Sequence, residues 1–129
     1  MPQVGIVLVS HSVRLAEGAA DLAAQVGGGT VAVVAAGGTD DGGLGTSAAK
    51  VERALREAER GAGVVVLPDL GSAVLTVRAL VEDLPGVTVA LADAPFVEGA
   101  VAATVTAAAG ADLMAVAKAA EEAWHARKL

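Results

Sequence analysis

The chain has 129 residues, of which 54% are hydrophobic, and its 15 acidic and 9 basic residues give a net charge of −6. This length suits one domain over residues 1–129, and no apolar stretch approaches the roughly 20 residues that a membrane-spanning helix needs. Aromatic residues make up 2% of the chain and cysteines are absent, which disfavours a base-stacking nucleic-acid surface and excludes disulfides and thiolate zinc sites.

The first predicted element is an apolar strand over residues 4–9, which runs into Ser10, His11 and Ser12. The strand is rich in β-branched residues and apolar on both faces, as is typical of a parallel strand between two helix layers. Ligands of open α/β sheets bind outside the carboxyl ends of the strands. We therefore expect His11 to lie in a functional crevice.

Strands and helices alternate along the rest of the chain. Further short apolar runs predict strands over residues 30–35, 64–67 and 87–91. Apolar residues at helical spacing predict helices over residues 13–26, after an N-cap at Thr46 or Ser47, after an N-cap at Ser72, over 97–109 and over 112–128. This β-α-β-α-β-α-β-α-α order predicts an α/β fold: a doubly wound, mostly parallel central sheet flanked by helices. The start of the chain has no visible export signal, so a cytoplasmic location is expected.

Asp69 follows the third predicted strand as His11 follows the first. If the two strands are neighbours, the carboxylate can bind one ring nitrogen of His11, fix its tautomer and stabilise positive charge on the ring. The alternatives are a histidine that only bonds a loop carbonyl and an aspartate that only closes its own turn. The pairing favours a functional role for both residues.

Two predicted helix starts follow the carboxyl ends of strands. Gly45, Thr46 and Ser47 precede one helix, and Gly71 and Ser72 precede another. Free N–H groups and hydroxyls at a helix start can bind a phosphate, which glycine lets approach the backbone. The same residues also serve as ordinary N-caps, and the two roles are compatible. Two such starts near one histidine are a stronger indication of an anion site than either alone.

Other polar residues receive simpler interpretations. Asp40, Asp41 and Glu98 are interpreted as solvated charges rather than as Mg²⁺ ligands, and no metal site is expected. His125 is interpreted as a surface residue near a helix end, and Trp124 as a packing residue rather than a ligand platform.

Several nucleotide and hydrolase motifs are missing from the sequence. There is no Gly-x-x-x-x-Gly-Lys-Ser/Thr loop, no Gly-x-Gly-x-x-Gly after the first strand and no Gly-x-Ser-x-Gly elbow. What remains is a histidine beside an acid and two anion-binding turns. This combination is suited to carrying a phosphoryl group on His11.

Six blocks of sequence, which occur in order over nearly the whole chain, carry a family resemblance. They are Val9-Ser10-His11-Ser12, Leu15-Ala16-Glu17-Gly18, Gly37-Gly38-Thr39, Gly45-Thr46-Ser47, Asp69-Leu70-Gly71-Ser72 and Asp93-Ala94-Pro95-Phe96-Val97-Glu98-Gly99-Ala100. Together these blocks closely resemble the DhaM family, the phosphotransfer subunits of phosphoenolpyruvate-dependent dihydroxyacetone kinases, which are related to the mannose-type enzyme IIA family of the bacterial phosphotransferase system.

The resemblance implies that His11 receives a phosphoryl group from phospho-HPr, forms a phosphohistidine and passes the group to ADP on a DhaL subunit. It implies that Asp69 holds the His11 ring. The residues it implies for phosphate binding are Ser10, Ser12, Thr46, Ser47, Gly71 and Ser72.

The family also implies HPr, DhaL and DhaK as partners, a homodimer, and no permanently bound cofactor, because the nucleotide resides on DhaL. The homodimer agrees with the high apolar content, since a paired face would cover surface that a monomer exposes. Two alternatives remain open: the IIA component of a mannose-type sugar transporter, and a non-catalytic anion-binding regulatory module of the same fold.

Overall fold

A computed structural model describes residues 2–129, which form a four-stranded parallel sheet between two layers of helices. The strands are β1 (Gly5–Ser10), β2 (Val33–Gly37), β3 (Val64–Pro68) and β4 (Val89–Leu91). The helices are α1 (Val13–Val26), α2 (Ala48–Ala58), α3 (Gly71–Val81), α4 (Phe96–Ala108) and α5 (Leu113–Glu122), and a short 3-10 turn over Ala123–His125 follows α5. The strand order is β2-β1-β3-β4. The predicted doubly wound α/β fold is confirmed.

β1 is completely buried because strands cover both of its edges and helices cover both of its faces. Ile6 and Leu8 pack into the core formed with α1, α4 and α5, whereas Val7 and Val9 pack into the core formed with α2 and α3. Burying one such side chain contributes roughly 1.5–3 kcal/mol to the free energy of unfolding. The unbroken apolar run of the sequence therefore places the end of β1 in the middle of the sheet.

The helices that cover the sheet are short, and α1 is 14 residues long. Within residues 2–129, no helix is both long and apolar enough to cross a membrane. The buried faces of α1 to α5 consist largely of alanine, whose small side chain lets the helices and the sheet approach closely. Three helices begin after side chains that accept a hydrogen bond from the first turn, namely Ser12 before α1, Ser47 before α2 and Asp112 before α5.

Glycine is required where the backbone of one element touches another. A Cβ at Gly5 would lie 2.2 Å from the carbonyl oxygen of Ala58, at the end of α2. A Cβ at Gly37 would lie 2.6 Å from the carbonyl oxygen of Ser12 and 2.8 Å from the Cα of Val13. Any larger residue at Gly37 would push the first turn of α1 away from the sheet.

The predicted boundaries of β2, β4 and α5 were wrong by two residues or more. β2 begins at Val33 rather than at residue 30, because the turn at Gly28 and Gly29, both with φ above +80°, extends into the residues that precede the strand. β2 ends at Gly37 rather than at residue 35, and Gly37 pairs with Ser10. β4 begins at Val89 rather than at residue 87. α5 ends at Glu122 rather than at residue 128, and the chain tightens into the 3-10 turn that carries Trp124.

Candidate functional site

The candidate site lies at the carboxyl ends of β1 and β3, which are neighbours in the sheet. His11 directly follows β1 and Asp69 directly follows β3. The backbone N–H of Asp69 donates to the carbonyl of Val9 at 2.9 Å, which continues the pairing of the two strands by one residue. The predicted proximity of His11 and Asp69 is confirmed.

Asp69 binds one nitrogen of the His11 ring. The Nδ1 of His11 lies 2.9 Å from Oδ1 of Asp69, and the side chains are 25% and 9% exposed, respectively. An ionised carboxylate can only accept hydrogen bonds, so we assign the ring proton to Nδ1. The lone pair of a neutral ring then resides on Nε2, the nitrogen that points away from Asp69.

The carboxylate of Asp69 is itself held by four donors. Oδ1 accepts from the His11 ring and from the N–H of Leu70 at 2.7 Å. Oδ2 accepts from the hydroxyl of Ser10 at 2.9 Å and from the N–H of His11 at 3.1 Å. Burial raises the pKa of Asp69, but these hydrogen bonds outweigh burial and lower its pKa below the ordinary 3.8. The site therefore contains a carboxylate that stays ionised at neutral pH.

Ser72 contacts the other nitrogen of the ring. Its hydroxyl lies 2.7 Å from Nε2 of His11. The prediction that Ser72 caps its helix was wrong: α3 begins at Gly71, and the N-cap position belongs to Leu70, which is extended at φ −123° and ψ 159°. Ser72 is thus the second residue of the helix, and its hydroxyl reaches His11 instead of the helix backbone.

The loop before α2 reaches the site through its backbone. The N–H of Gly45 donates to the carbonyl of His11 at 3.0 Å, and Thr46 forms a bridge with Gly38 beyond the end of β2. Ser47, not Thr46, is the N-cap of α2: its buried hydroxyl accepts from the N–H of Lys50 at 3.1 Å and also bonds the carboxylate of Asp40. Phosphate binding by Thr46 and Ser47 stays a prediction.

The two serines beside His11 have other partners in this structure. Ser10 is fully buried, and its hydroxyl joins Oδ2 of Asp69 to the N–H of Ser12. The hydroxyl of Ser12 accepts from the N–H of Leu15 at 3.2 Å and thereby caps α1. Direct phosphate binding by Ser10 and Ser12 also stays a prediction.

The remaining acidic candidates are dispersed. Asp40 bonds Ser47, Asp41 bonds the hydroxyl of Thr39, and Glu98 pairs with Lys128 at 2.7 Å. The hydrogen bond from Thr39 lowers the pKa of Asp41. Among residues 2–129, no group of three or more His, Asp or Glu residues is close enough to hold a metal ion. His125 is exposed on the 3-10 turn, as predicted.

Trp124, interpreted from the sequence as a packing residue, lies at the surface. It is 60% exposed, and its Nε1 donates to the carbonyl of Asp93 at 2.9 Å. Its ring borders a cleft of about 580 Å³ between α3 and β4, and Asp69, Leu70 and Gly71 border the same cleft.

This arrangement provides a nucleophile with a defined direction. Asp69 fixes the proton on Nδ1 and can stabilise the positive charge that the ring gains when Nε2 attacks an electrophile. His11 is partly exposed, and the first turn of α3 lies beside it. The N-terminus of a helix favours negative charge, so an anionic electrophile suits this position.

Comparisons with known proteins indicate phosphoryl transfer in general. The family described as "PTS system fructose IIA component" (EIIA-man) matches residues 5–117. The chain is 41% identical over 116 residues to the "PEP-dependent dihydroxyacetone kinase, phosphoryl donor subunit DhaM" of Escherichia coli (strain K12), which covers 85% of this chain and 25% of that protein. It is 35% identical over 105 residues to the corresponding subunit of kinase 2 of Listeria innocua, covering 79% of this chain and 84% of that protein.

A solved structure supports the same relationship. The crystal structure of a protein of unknown function, EF1359, superposes with a TM-score of 0.83 at 32% identity, and the match covers 94% of this chain and 95% of that one. The chain spans about a quarter of the length of the Escherichia coli relative and most of the length of the Listeria innocua relative. The family match over residues 5–117 places this chain in the EIIA-man family of phosphotransferase system IIA components.

Proposed function

We propose that this protein is a phosphocarrier that supports the phosphorylation of dihydroxyacetone. His11 accepts a phosphoryl group from phospho-HPr and transfers it to ADP bound on a DhaL subunit. The observation that carries the proposal is the histidine itself: Nδ1 is held by Asp69 at 2.9 Å, while Nε2 faces the partly exposed side of the site. The names of the relatives, phosphoryl donor subunits of dihydroxyacetone kinases, support the choice of acceptor.

In the first transfer, the Nε2 lone pair of His11 attacks the phosphorus atom of the donor. A bond between Nε2 and phosphorus forms while the bond between phosphorus and the donor atom breaks, and the bonding electrons leave with the donor. The proton stays on Nδ1, and the Asp69 carboxylate stabilises the positive charge of the ring. In the second transfer, an oxygen of the ADP β-phosphate attacks the same phosphorus atom, and the electrons of the breaking bond return to Nε2.

The first turn of α3 is suited to the phosphoryl oxygens. The hydroxyl of Ser72, which contacts Nε2 at 2.7 Å, must turn away from the lone pair and can then donate to a phosphoryl oxygen. A Cβ added at Gly71 would enter open space on the described surface, so the backbone there is accessible to a bound group. Phosphoryl transfer depends mainly on positioning and charge stabilisation, so an open site is sufficient.

The proposal includes HPr, DhaL and DhaK as partners, a homodimer and a cytoplasmic location, with no resident cofactor. Exposed apolar side chains support an association with other proteins or with a second copy: Leu70 and Trp124 are each 60% exposed and Leu75 is 70% exposed. Light scattering at several protein concentrations tests the homodimer, and a monomer at all concentrations would contradict it.

A second candidate is the IIA component of a sugar transporter. The description of the matching family names a component of a sugar phosphotransferase system. The same histidine chemistry would serve transfer to ADP on DhaL or to the next component of a sugar transporter. The two candidates share the first transfer and differ only in the second.

Labelling from radioactive phosphoenolpyruvate through enzyme I and HPr tests the first transfer. We expect acid-labile, base-stable label on the wild type and none on His11→Ala. The replacement His125→Ala is the matched control, since His125 is exposed on the 3-10 turn, and it should be labelled normally. No label on wild type in the presence of active HPr, or full label on His11→Ala, would contradict the proposal and favour a binding module.

A chase experiment identifies the acceptor. The labelled protein is mixed with DhaL and ADP, or with the IIB domain of a mannose-type transporter. Loss of label to DhaL and ADP supports the dihydroxyacetone kinase assignment. Loss of label only to the IIB domain would support the transporter assignment instead.

A further inference from the structure

Ser10 is a polar residue in the most buried strand of the sheet. It is the last residue of β1 and is 0% exposed. Within residues 2–129, the other buried polar side chains are Ser47, which caps α2, and Thr104, which bonds the carbonyl of Ala100 in its own helix. A hydroxyl in such surroundings must be paired, because an unpaired one costs free energy on burial.

The hydrogen bonds of Ser10 fix the direction of its proton. Its oxygen accepts from the N–H of Ser12 at 3.0 Å, and this donor can only donate. The one proton of the hydroxyl is therefore available for Oδ2 of Asp69, which lies 2.9 Å away. A bond from a neutral donor to an ionised carboxylate is stronger than a bond between neutral groups.

Ser10 acts on the carboxylate oxygen that the His11 ring does not use. The ring binds Oδ1, whereas Oδ2 is held by Ser10 and by the N–H of His11 at 3.1 Å. Without the Ser10 hydroxyl, Oδ2 keeps one longer bond, and the carboxylate is freer to rotate away from Nδ1. The ionisable groups near Asp69 are the His11 ring and, along the cleft that Asp69 borders, Arg78 and Asp93.

We propose that Ser10 is a positioning residue for phosphoryl transfer: its buried hydroxyl holds the Asp69 carboxylate aimed at Nδ1, so that His11 presents Nε2 to the incoming group. This inference rests on the proposed phosphocarrier function. It differs from direct phosphate binding, because the hydroxyl acts through Asp69. Hydrogen bonds to the ionised form of a carboxyl group keep it ionised, and Ser10 is one of the donors that lower the pKa of Asp69.

The test compares Ser10→Ala with Thr104→Val, a matched loss of a buried hydroxyl remote from the site. We expect Ser10→Ala to slow phosphorylation of His11 by about tenfold, the effect of one hydrogen bond to a charged group. Carbon-13 spectra should show the Asp69 carboxyl titrating at higher pH in this variant. Nitrogen-15 spectra should show a smaller fraction of the Nδ1–H tautomer. Thr104→Val should leave the transfer rate, the titration and the tautomer unchanged.

A double-mutant cycle with Asp69→Asn shows whether Ser10 acts through Asp69. We expect Ser10→Ala to slow transfer in the wild-type background and to have little further effect in Asp69→Asn. An equal loss in both backgrounds would contradict the inference, as would a folded Ser10→Ala variant with the wild-type rate and tautomer. If Ser10→Ala does not fold, Ser10→Cys replaces the hydroxyl by a thiol, a much weaker hydrogen-bond donor of similar size. We expect a partial loss of both the transfer rate and the Nδ1–H tautomer in this variant, and an unchanged rate and tautomer would overturn the inference.

The spectroscopic measurements separate this inference from the proposed function. If wild type accepts no label from HPr, the phosphocarrier proposal fails, while the Asp69 titration and the His11 tautomer still decide whether Ser10 controls the pair. If wild type is labelled but Ser10→Ala behaves like Thr104→Val in every measurement, only the role of Ser10 fails.

Discussion

The helices α2 and α3 both begin at the carboxyl edge of the sheet, but their first turns differ. At α2, the hydroxyl of Ser47 accepts from the N–H of Lys50 and bonds the carboxylate of Asp40. At α3, the N-cap residue is Leu70, whose apolar side chain offers no acceptor, and the hydroxyl of Ser72 contacts His11 instead. One helix start is closed by its own cap, and the other is left open toward the histidine.

The two helix starts have similar sequences, but the serine at one of them stabilises the helix and the serine at the other lies in the candidate site. Both segments place a serine one or two residues after a glycine near the start of a helix, yet the serine caps the helix in one case and contacts the His11 ring in the other. A capping serine typically contributes about 1 kcal/mol to stability. We infer that α2 is optimised for holding the loop and that α3 gives up this contribution so that its first turn can receive an anion.

The largest expected effect comes from Asp69, which joins the end of β3 to the histidine. In Asp69→Asn, an NH₂ group replaces one carboxylate oxygen and faces the hydrogen-bond donors that surround Asp69. The His11 tautomer is then no longer fixed, and the positive charge of the ring is not stabilised. We expect phosphorylation of His11 to slow by at least about 100-fold. Single-turnover labelling from phospho-HPr measures this rate, and a loss below threefold would show that Asp69 is only structural.

The next largest effect is expected at the open helix start. Ser72→Ala removes the hydroxyl that contacts Nε2 and that can donate to a phosphoryl oxygen, so transfer should slow by about tenfold. Because Ser72 is exposed and does not cap α3, the free energy of unfolding should change by less than about 0.5 kcal/mol. Urea unfolding and labelling of the same sample measure both quantities. A large loss of stability with normal transfer would reverse our assignment of α3.

The closed helix start should respond in the opposite way. Ser47→Ala should lower the free energy of unfolding by about 1 kcal/mol, because Lys50 N–H and Asp40 lose their partner. We expect its transfer rate to fall by less than that of Ser72→Ala. An equal or greater loss of transfer would show that Ser47 lines the phosphate pocket, as the family resemblance implies, and would remove the contrast between the helices.

The smallest effect is a change in the free energy of unfolding at acid pH, which tests whether Asp69 stabilises the fold in its ionised form. Its pKa is lower in the folded protein than the ordinary 3.8, so its ionised form stabilises the fold above 3.8, and this contribution is lost as the pH falls through the lower folded pKa. The difference in unfolding free energy between wild type and Asp69→Asn should therefore be largest at neutral pH and narrow in acid. Urea unfolding from pH 7 to pH 3 measures it, and a constant difference would contradict this explanation.

The central pair of the site could be predicted from the sequence because it follows from strand order. His11 and Asp69 each follow a buried apolar strand, and parallel strands end at the same edge of a sheet. The fold class followed from the same alternation of strands and helices. Pattern and position placed both residues at the same edge of the sheet, but their contact also requires β1 and β3 to be neighbours, which the structure shows.

The rest of the site depends on local geometry that the pattern does not contain. Ser72 has the sequence context of an N-cap. In the structure the extended backbone of Leu70 makes Leu70 the N-cap and Gly71 the first helical residue, so the hydroxyl of Ser72 is available to His11. Ser10 resembles its neighbour Ser12 in sequence, but one is buried against Asp69 and the other caps α1. The exposure of Trp124 likewise depends on where α5 ends and tightens into the 3-10 turn.

The backbone of His11 is fixed on both sides: its N–H donates to Asp69, and its carbonyl accepts from the N–H of Gly45. With the ring also bonded to Asp69, this residue has little conformational entropy left to lose when another molecule binds. In the proposed function, the protein must meet a donor and an acceptor in turn. Since His11 is already ordered before either encounter, its conformational entropy is lost during folding. Binding the donor or the acceptor therefore requires little further loss of entropy at this residue.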